Sequence, residues 1–395
     1  MQFVNLKKCI DKIVSDYNTP SGDVAVYQNH KLLFRYFTGM SDIENNKQIS
    51  GNELYIIFSM TKMLTCACAL QLLEQGKYIL DDKLSKYLPE YEKMKITTSE
   101  LNAQDAVKIA SGNSVGGKAV SLGNGFAKTP ITIRHLFTMT AGLDYAIYCD
   151  EIQSKIKQGK KTTRELVAAM ADKPLGFEPG TRFNYSLCHD VLGALIEVWS
   201  GQKFGDYMSE NLLKPLGMND TFFGLPKDAQ RLSRMAASYR FDQNHIPQRI
   251  DLFCGYNLTD EYQSGGAGLI STTQDYALFL DAIACGGVSA DGKRILKEDT
   301  INLWKTNALS GKAAEDFDLL RAGYGYGLGV RTHINPARSG SLSPVGEFGW
   351  DGAAGGLAMV DSENKISLTY MQQAQNWDGA IHKEIRNALY KDLGL

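Results

Sequence analysis

Hydrophobic and polar positions change their spacing several times along the 395-residue chain. Residues 22–39 (GDVAVYQNHKLLFRYFTG) place β-forming side chains on both sides of a polar stretch at 28–30, which predicts a β-hairpin. From Met60 to Leu73 the apolar positions recur at steps of three and four. This spacing predicts a helix, and Gly76 is a natural place for it to stop.

Helical spacing dominates the middle of the chain. Five further segments have apolar residues at helical spacing, and each ends at or next to a Gly or Pro: TIRHLFTMTAGL, TTRELVAAMADK, SLCHDVLGALIEVWSG, FGDYMSENLLKPLG and TTQDYALFLDAIACGG. Strand character returns at 324–333, 356–361 and 365–373, with a hairpin turn at 362–364. Amphipathic patterns at the two ends of the chain predict an N-terminal and a C-terminal helix.

Strands near both ends therefore bracket a long helical middle, and this order predicts an α/β fold of the α+β type. We expect residues 1–58 and 315–395 to form one lobe, an antiparallel sheet flanked by helices. Residues 59–314 should form a mostly helical lobe that carries a Gly-rich insertion at 109–130. The active site is expected in the cleft between the lobes.

Composition narrows the class of protein. The chain is 44% hydrophobic with a net charge of −2, and acidic and basic residues are interspersed, so we expect no nucleic-acid partner. The N-terminal segment lacks the apolar core of a signal peptide, and no stretch approaches the roughly 18 to 20 apolar residues of a membrane span. A cytoplasmic protein without a membrane partner is expected, and its oligomeric state stays open.

The seven cysteines and six histidines are dispersed along the sequence. There is no Cys-x-x-Cys, and no His/Cys/carboxylate group has the local spacing of a metal site, so the sequence predicts no metal and no cofactor. An odd number of scattered cysteines, several in apolar helical contexts, is typical of free thiols in a reducing compartment.

Candidate chemistry begins at FSMTKM, residues 58–63, where Ser59 precedes Lys62 by three positions. The segment follows an extended stretch and opens the long apolar helix, so both side chains should share one helical face, about 5 to 6 Å apart at Cβ. Burial between two lobes would lower the lysine pKa and make a neutral amine accessible. The serine N–H at a helix start could also stabilise an oxyanion.

Ser-x-x-Lys also occurs at three positions where the context favours an ordinary structural role. One serine lies in a charged run, one ends a predicted helix and one lies in a predicted hairpin turn: Ser154, Ser200 and Ser362. A different candidate, Ser114 in Gly-x-Ser-x-Gly, would need a strand before it and a helix after it, and its flanks supply neither.

Several segments resemble the serine β-lactamase and penicillin-binding-protein superfamily, over roughly residues 20 to 375. They are SMTKMLTCACALQLLEQGKYILDDKLSKYLPEY, PITIRHLFTMTAGL, EPGTRFNYSLCHDVLGALIEVWSG, GGAGLISTTQDYALFL and GYGYGLGV. The similarity is closest to the carboxylesterases related to class C β-lactamases. It implies a β-lactamase/transpeptidase-like fold and a serine hydrolase that works through an acyl-serine intermediate.

The resemblance also implies roles for individual residues. Ser59 is the expected nucleophile, Lys62 manages its proton, and Tyr185 in NYSL acts as general base or acid. A phenol near cationic or polar neighbours could become a phenolate at reachable pH. Ser186 is expected to cap the helix that follows and to hold Tyr185 at its mouth.

A third motif is expected in FGWDGAAGG, residues 348–356. By resemblance, Trp350, Asp351 and Gly352 contact the substrate on the sheet edge beside the nucleophile. The backbone N–H of Ala353 would pair with that of Ser59 as the oxyanion hole. The glycines suit a strand whose backbone a substrate approaches closely.

Two departures from the family pattern bear on the substrate. Leu187 stands where β-lactamases and peptidoglycan peptidases usually have Asn, and Trp350 stands where they usually have a cation. An apolar and an aromatic side chain favour a neutral acyl or alcohol group, and Leu187 joins the expected substrate contacts. The leading interpretation is a carboxylesterase acting on a small-molecule ester or amide. A β-lactamase, a D-Ala-D-Ala carboxypeptidase, an acyltransferase and a non-catalytic binding relative stay open.

Overall fold

A computed structural model describes residues 2–97, 125–252 and 256–395 of the chain. Most of the insertion expected at 109–130, and the rival candidate Ser114, lie outside the described residues.

The longer strands of the described chain lie near its two ends, and most of the helices lie between them. The strands are β1 Ser21–Gln28, β2 Lys31–Asp42, β3 Lys47–Gln48, β4 Tyr55–Ile56, β5 Lys95–Ile96, β6 Gly125–Phe126, β7 Phe222–Phe223, β8 Ser238–Phe241, β9 Pro247–Ile250, β10 Leu269–Ser271, β11 Tyr324–Tyr326, β12 Arg331–His333, β13 Phe348–Gly349, β14 Leu357–Asp361, β15 Ile366–Met371 and β16 Ala374–Gln375. The α-helices are α1 Val4–Asp16, α2 Thr61–Glu74, α3 Ile133–Phe137, α4 Asp150–Lys157, α5 Thr163–Met170, α6 Cys188–Ser200, α7 Phe204–Met208, α8 Lys214–Leu216, α9 Ala229–Leu232, α10 Thr273–Ala284, α11 Glu298–Lys305, α12 Gly311–Leu320, α13 Pro336–Ser339 and α14 Ala380–Leu393.

The main sheet joins the two ends of the chain, as the sequence predicts. Its eight strands run in the order β11-β12-β13-β14-β15-β1-β2-β3, and each neighbouring pair is antiparallel. The hairpin between β1 and β2 turns at Asn29 and His30, both with positive φ, which matches the right-handed twist of the flanking strands. The antiparallel sheet and its flanking helices confirm the predicted fold class.

Strand β1 is buried on both faces, which explains its nearly continuous apolar sequence. Val24 and Val26 pack in one core with residues of α1 and α14, while Ala25 and Tyr27 pack with Ala277 of α10. Alternate side chains of a strand point to opposite faces, so each face of the sheet is covered by a helical layer.

Helix α2 lies in the middle of the largest core, which explains why it is apolar all round. Residues 61–72 are all buried, including the polar Thr61 and Lys62. A helix that is hydrophobic on every side is typical of a core position. Burial of a lysine at this place is therefore a consequence of where the helix packs.

Three predicted elements differ in detail. Residues 324–333 form two short strands, β11 and β12, because the chain reverses through Gly327 and Gly329. The helix predicted to start at 132 ends at Phe137, and Met139 then has a positive φ of 57°. The helix predicted over 204–217 is interrupted by a π-helical stretch, Ser209–Leu213.

Two small sheets, in the orders β4-β10-β7 and β16-β8-β9, each join two strands from the middle of the chain to one strand from an end region. The division into lobes at residues 58 and 315 stays a prediction. In the parts of the chain that the structure covers, no helix has the length and apolar character to cross a bilayer.

Candidate active site

Ser59 lies at the junction of strand and helix that the sequence predicts. It occupies a 3₁₀ turn, Phe58–Met60, between β4 and the first residue of α2. Ser59 is half-buried, although the residues on both sides of it are buried. Phe58 has a φ of +44°, a left-handed conformation that costs a non-glycine residue about 1 to 2 kcal/mol, and the buried Phe58 ring packs edge-on against Tyr256.

Lys62 points at this serine from one turn into α2. Its Nζ lies 3.3 Å from Ser59 Oγ, 3.3 Å from the Tyr145 hydroxyl and 2.8 Å from the Gly266 carbonyl. Burial lowers the pKa of Lys62 to about 7, while the negative charge of Asp190 opposes this change. The amine is therefore close to half neutral at neutral pH, and a neutral amine can accept the serine proton.

The other three Ser-x-x-Lys copies have surroundings that suit structural roles. Ser154 is exposed on α4, and the Ser200 hydroxyl donates to the Ile196 carbonyl at the end of α6. Ser362 lies in the turn between β14 and β15 and accepts a hydrogen bond from Lys305. These surroundings agree with the structural roles that the sequence context favours for the three serines.

Asp190, which the sequence reasoning missed, is a buried carboxylate on the far side of Lys62. Its Oδ1 accepts hydrogen bonds from the hydroxyls of Tyr262 (2.8 Å) and Ser264 (2.6 Å). A Cβ at Gly266 would lie 2.6 Å from Asp190 Oδ2 and 3.3 Å from Lys62 Nζ, so only glycine fits between the two charges. One feature of the sequence could have identified Asp190. It is an acidic residue inside the apolar run of α6, five positions after Tyr185.

Three aromatic rings lie close together beside Ser59 and Lys62. The Tyr145 and Tyr185 rings stack with centroids 5.4 Å apart, and Trp350 Nε1 donates to the Tyr185 hydroxyl at 3.1 Å. Tyr185 is also hydrogen-bonded to the Ser59 side chain. Tyr145 is a second contact that the sequence reasoning missed, because it comes from a loop with no regular pattern.

The protonation expected for Tyr185 differs from the one that its surroundings favour. Burial raises the pKa of Tyr185 above its ordinary value of 10, more than the hydrogen bonds with Ser59 and Trp350 lower it. The phenolate that the sequence reasoning allowed at reachable pH is therefore disfavoured. Between the two candidates for the base, the pKa of Lys62 favours the lysine.

The helix after Tyr185 begins differently from the prediction. Leu187 holds the N-cap position of α6 without a side-chain cap, and the Ser186 hydroxyl instead donates to Cys188 Sγ at 3.1 Å. Ser186 is therefore not the cap. The segment is held by its neighbour Asn184, whose side-chain amide donates to the Leu143 carbonyl at 2.8 Å.

Leu187 itself is 3% exposed. Leu187 lines a small cavity together with Leu143, Asp144, Ala146, Met170, Lys173 and Pro174. A contact between Leu187 and a substrate stays a prediction.

The predicted third motif packs directly on the segment that carries Ser59. A Cβ at Gly352 would lie 2.7 Å from the Ile57 carbonyl oxygen, and one at Gly356 would lie 2.6 Å from Met60 Sδ. The turn closes through the hydrogen bond from the Gly352 N–H to the Gly356 carbonyl, at 2.9 Å. Ala353 is exposed at the tip of this turn, next to Gly352. Its N–H as an oxyanion donor stays a prediction.

Asp351 faces a buried group of charged side chains. Its Oδ1 accepts from Arg331 and its Oδ2 from Arg321, each at 3.1 Å, and His382 Nδ1 lies 3.5 Å from Oδ2. Arg331 and the histidine help to hold the Asp351 pKa well below its ordinary value, although burial opposes them. In this arrangement both carboxylate oxygens are engaged, which fixes the turn between Trp350 and Gly352. A direct substrate contact from Asp351 stays a prediction.

Comparisons of the sequence with a family model and with curated proteins point to the same family. The family described as Beta-lactamase matches residues 6–391. Protein Rv1367c of Mycobacterium tuberculosis (strain H37Rv) is 30% identical over 370 residues, which cover 91% of this chain and 87% of that protein. Esterase EstB of Burkholderia gladioli is 25% identical over 402 residues, covering 93% of this chain and 90% of EstB.

A solved structure gives the same fold. EstCE1, described as a hydrolase with promiscuous acyltransferase activity, superposes with a TM-score of 0.78 at 22% identity, over 98% of this chain and 97% of that one. With a family match across nearly the whole sequence, the chain belongs to the beta-lactamase family, as a serine hydrolase of that family.

Proposed function

We propose that the protein is a carboxylesterase that cleaves small-molecule esters through an acyl-Ser59 intermediate. The observation that carries this proposal is the buried Lys62 amine, with its pKa lowered to about 7, at 3.3 Å from a half-buried serine hydroxyl. The name of EstB, an esterase with similar length and 25% identity, agrees with this reading.

In acylation, neutral Lys62 takes the proton of Ser59 as the serine oxygen bonds to the ester carbonyl carbon. The carbonyl oxygen becomes an oxyanion that the N–H groups of Ser59 and Ala353 would stabilise. When the carbon–oxygen bond to the alcohol breaks, Tyr185 donates its hydroxyl proton to the leaving oxygen, and the protonated Lys62 restores it. Lys62 Nζ lies 4.6 Å from the centre of the Tyr185 ring, so the two groups are neighbours beside Ser59.

Deacylation runs the same steps with water as the nucleophile. Neutral Lys62 accepts one proton from the attacking water, directly or through the Tyr185 hydroxyl, which gives up its own proton as it gains one. Protonated Lys62 then returns this proton to the serine oxygen as the carbon–oxygen bond to Ser59 breaks. The carboxylic acid leaves and the starting state returns. Acyl transfer to an alcohol would use the same intermediate, with the alcohol in place of water.

The walls of the cleft favour a neutral substrate. Trp350 and Tyr185 lie with ring centroids 5.5 Å apart, and the Tyr145 ring stacks on Tyr185. Aromatic side chains bind apolar or planar groups with little loss of conformational freedom. Small esters with apolar acyl chains are therefore proposed in preference to anionic peptides or β-lactams.

A fluorophosphonate probe with peptide mass spectrometry tests the nucleophile. We expect an adduct on the Ser59 peptide, absent in Ser59→Ala and retained in Ser154→Ala, which removes an exposed serine from another Ser-x-x-Lys copy. An adduct on the Ser114 peptide would favour the alternative nucleophile, and no adduct would favour a non-catalytic relative.

A substrate comparison tests the proposed class. Turnover of p-nitrophenyl acetate and butyrate should exceed turnover of nitrocefin by at least about 100-fold. A substrate that loses one hydrogen bond to its oxyanion in the transition state reacts slower by about this factor. Faster turnover of nitrocefin would overturn the esterase assignment and favour a β-lactamase. Added methanol, with the methyl ester measured, reports how far acyl transfer competes with hydrolysis.

A further inference from the structure

A second group of reactive side chains lies where the β1–β2 hairpin meets the C-terminal end of α10. His30 comes from the hairpin turn, Asp281 from the last turn of the helix and Cys285 from its C-cap. One nitrogen, one oxygen and one sulfur of these residues all lie within 4.8 Å of one another. The proposed catalysis uses none of them.

Backbone conformation and hydrogen bonds hold these three side chains close together. His30 has a φ of +65°, and its N–H donates to Asp281 Oδ1 at 3.1 Å. The ring nitrogen His30 Nδ1 lies 2.8 Å from Asp281 Oδ2, and Cys285 Sγ lies 3.8 Å from Asp281 Oδ1. Asp281 and Cys285 are four residues apart, so they share one face of the helix end.

Burial leaves one side of the group open. The side chain of Asp281 is 4% exposed and that of His30 is 28% exposed, and Cys285 is half-buried. An ion among these three atoms would be held from the protein side by the buried Asp281. His30 and Cys285 are partly exposed, so a fourth ligand could come from solvent.

We propose that His30, Asp281 and Cys285 bind one zinc ion, with water as the fourth ligand. Imidazole nitrogen, thiolate sulfur and carboxylate oxygen are the ligands that zinc takes in tetrahedral sites, whereas calcium and magnesium prefer oxygen alone. A thiolate and a carboxylate together carry two negative charges, which balance the charge of Zn²⁺. Asp281 Oδ1 accepts a hydrogen bond from the backbone N–H of His30. This bond orients the carboxylate, as outer contacts usually do for metal ligands.

Each proton that zinc displaces from its ligands has a place to go. The Cys285 thiol loses its proton to solvent as the sulfur–zinc bond forms. His30 binds through the lone pair of Nδ1, so the proton that Nδ1 shares with Asp281 in the metal-free group moves to Nε2 or to solvent. No oxidant or reductant takes part. The ion would tie the hairpin to α10 across 251 residues of sequence and add stability in proportion to its binding to the folded chain.

The alternative is that His30 and Asp281 form only a hydrogen-bonded contact and bind no metal. Cobalt(II) distinguishes the two, because tetrahedral thiolate-bound cobalt shows a sulfur-to-metal charge-transfer band in the near ultraviolet together with visible bands. The full chain is stripped with a chelator and titrated with Co²⁺ and then with Zn²⁺. We expect one Co²⁺ per chain with both sets of bands, displaced by one equivalent of Zn²⁺.

Two variants make the test specific. Cys285→Ser should abolish the charge-transfer band and weaken zinc binding at least 100-fold, while Cys149→Ser, which changes another half-buried cysteine, should keep both. Ester hydrolysis by Cys285→Ser at the wild-type rate would show that this variant is folded. A charge-transfer band that persists in Cys285→Ser, or no zinc-dependent rise in the unfolding temperature of the wild type, would overturn the proposal.

Discussion

Replacing Lys62 by Met should abolish ester hydrolysis and at the same time stabilise the folded protein. Met is unbranched and similar in length, but it carries no charge to be desolvated. Lys62 is fully buried in α2, and burial is the main cause of its lowered pKa. A group held in this way for function is expected to destabilise the fold around it.

The magnitude follows from the two pKa values. On folding, the pKa of Lys62 falls from 10.5 to about 7, so between these values the unfolded chain binds more protons and wild-type stability rises with pH. At about 1.4 kcal/mol per pKa unit, the charge contributes a destabilisation of about 5 kcal/mol at pH 6 and about 2 kcal/mol at pH 9. Loss of the hydrogen bond to the Gly266 carbonyl offsets about 1 to 3 kcal/mol of the gain at either pH.

Urea unfolding of the wild type and Lys62→Met at pH 6 and pH 9 measures this effect. We expect the variant to be more stable at pH 6, and its advantage to shrink by about 2 to 3 kcal/mol at pH 9. Lys157→Met is the matched control, because Lys157 is the exposed lysine of another Ser-x-x-Lys copy. A stability difference between Lys62→Met and wild type that does not change with pH would refute the reasoning about a desolvated amine.

Further predictions concern the surroundings of this amine. Tyr185→Phe should lower the single-turnover acylation rate by about 10² to 10⁴ with the fold intact by circular dichroism, and a near-normal rate would remove the phenol from the mechanism. Asp190→Asn removes a charge that raises the Lys62 pKa, so the midpoint of the pH–kcat/KM profile should move below its wild-type value near 7. An unmoved midpoint would contradict this coupling. Gly352→Ala should cost about 1 to 3 kcal/mol in urea unfolding and reduce hydrolysis, because its methyl group meets a backbone oxygen at 2.7 Å. Gly379→Ala, with nothing within 4 Å of the added carbon, should behave as wild type.

Local signals in the sequence were enough for the main elements of the fold. The β1–β2 hairpin, the apolar helix α2 and the returning strands near the C-terminus follow from side-chain spacing and turn residues, which act over a few positions. The same signals place Ser59 at a strand-to-helix junction. They missed the early end of α3 and the π-helical stretch at 209–213, where packing against other segments overrides local preference.

The chemistry of the cleft depended on contacts between distant segments. That Ser59 differs from Ser154, that Asp190 and Tyr145 flank Lys62, and that burial favours the amine over a phenolate are all outside the reach of spacing. The group formed by His30, Asp281 and Cys285 has no local signature either, since its members are joined only when the hairpin packs on α10. Periodicity reports which face of an element is apolar. Desolvation and ligand geometry depend on which faces meet, and only the tertiary structure decides that.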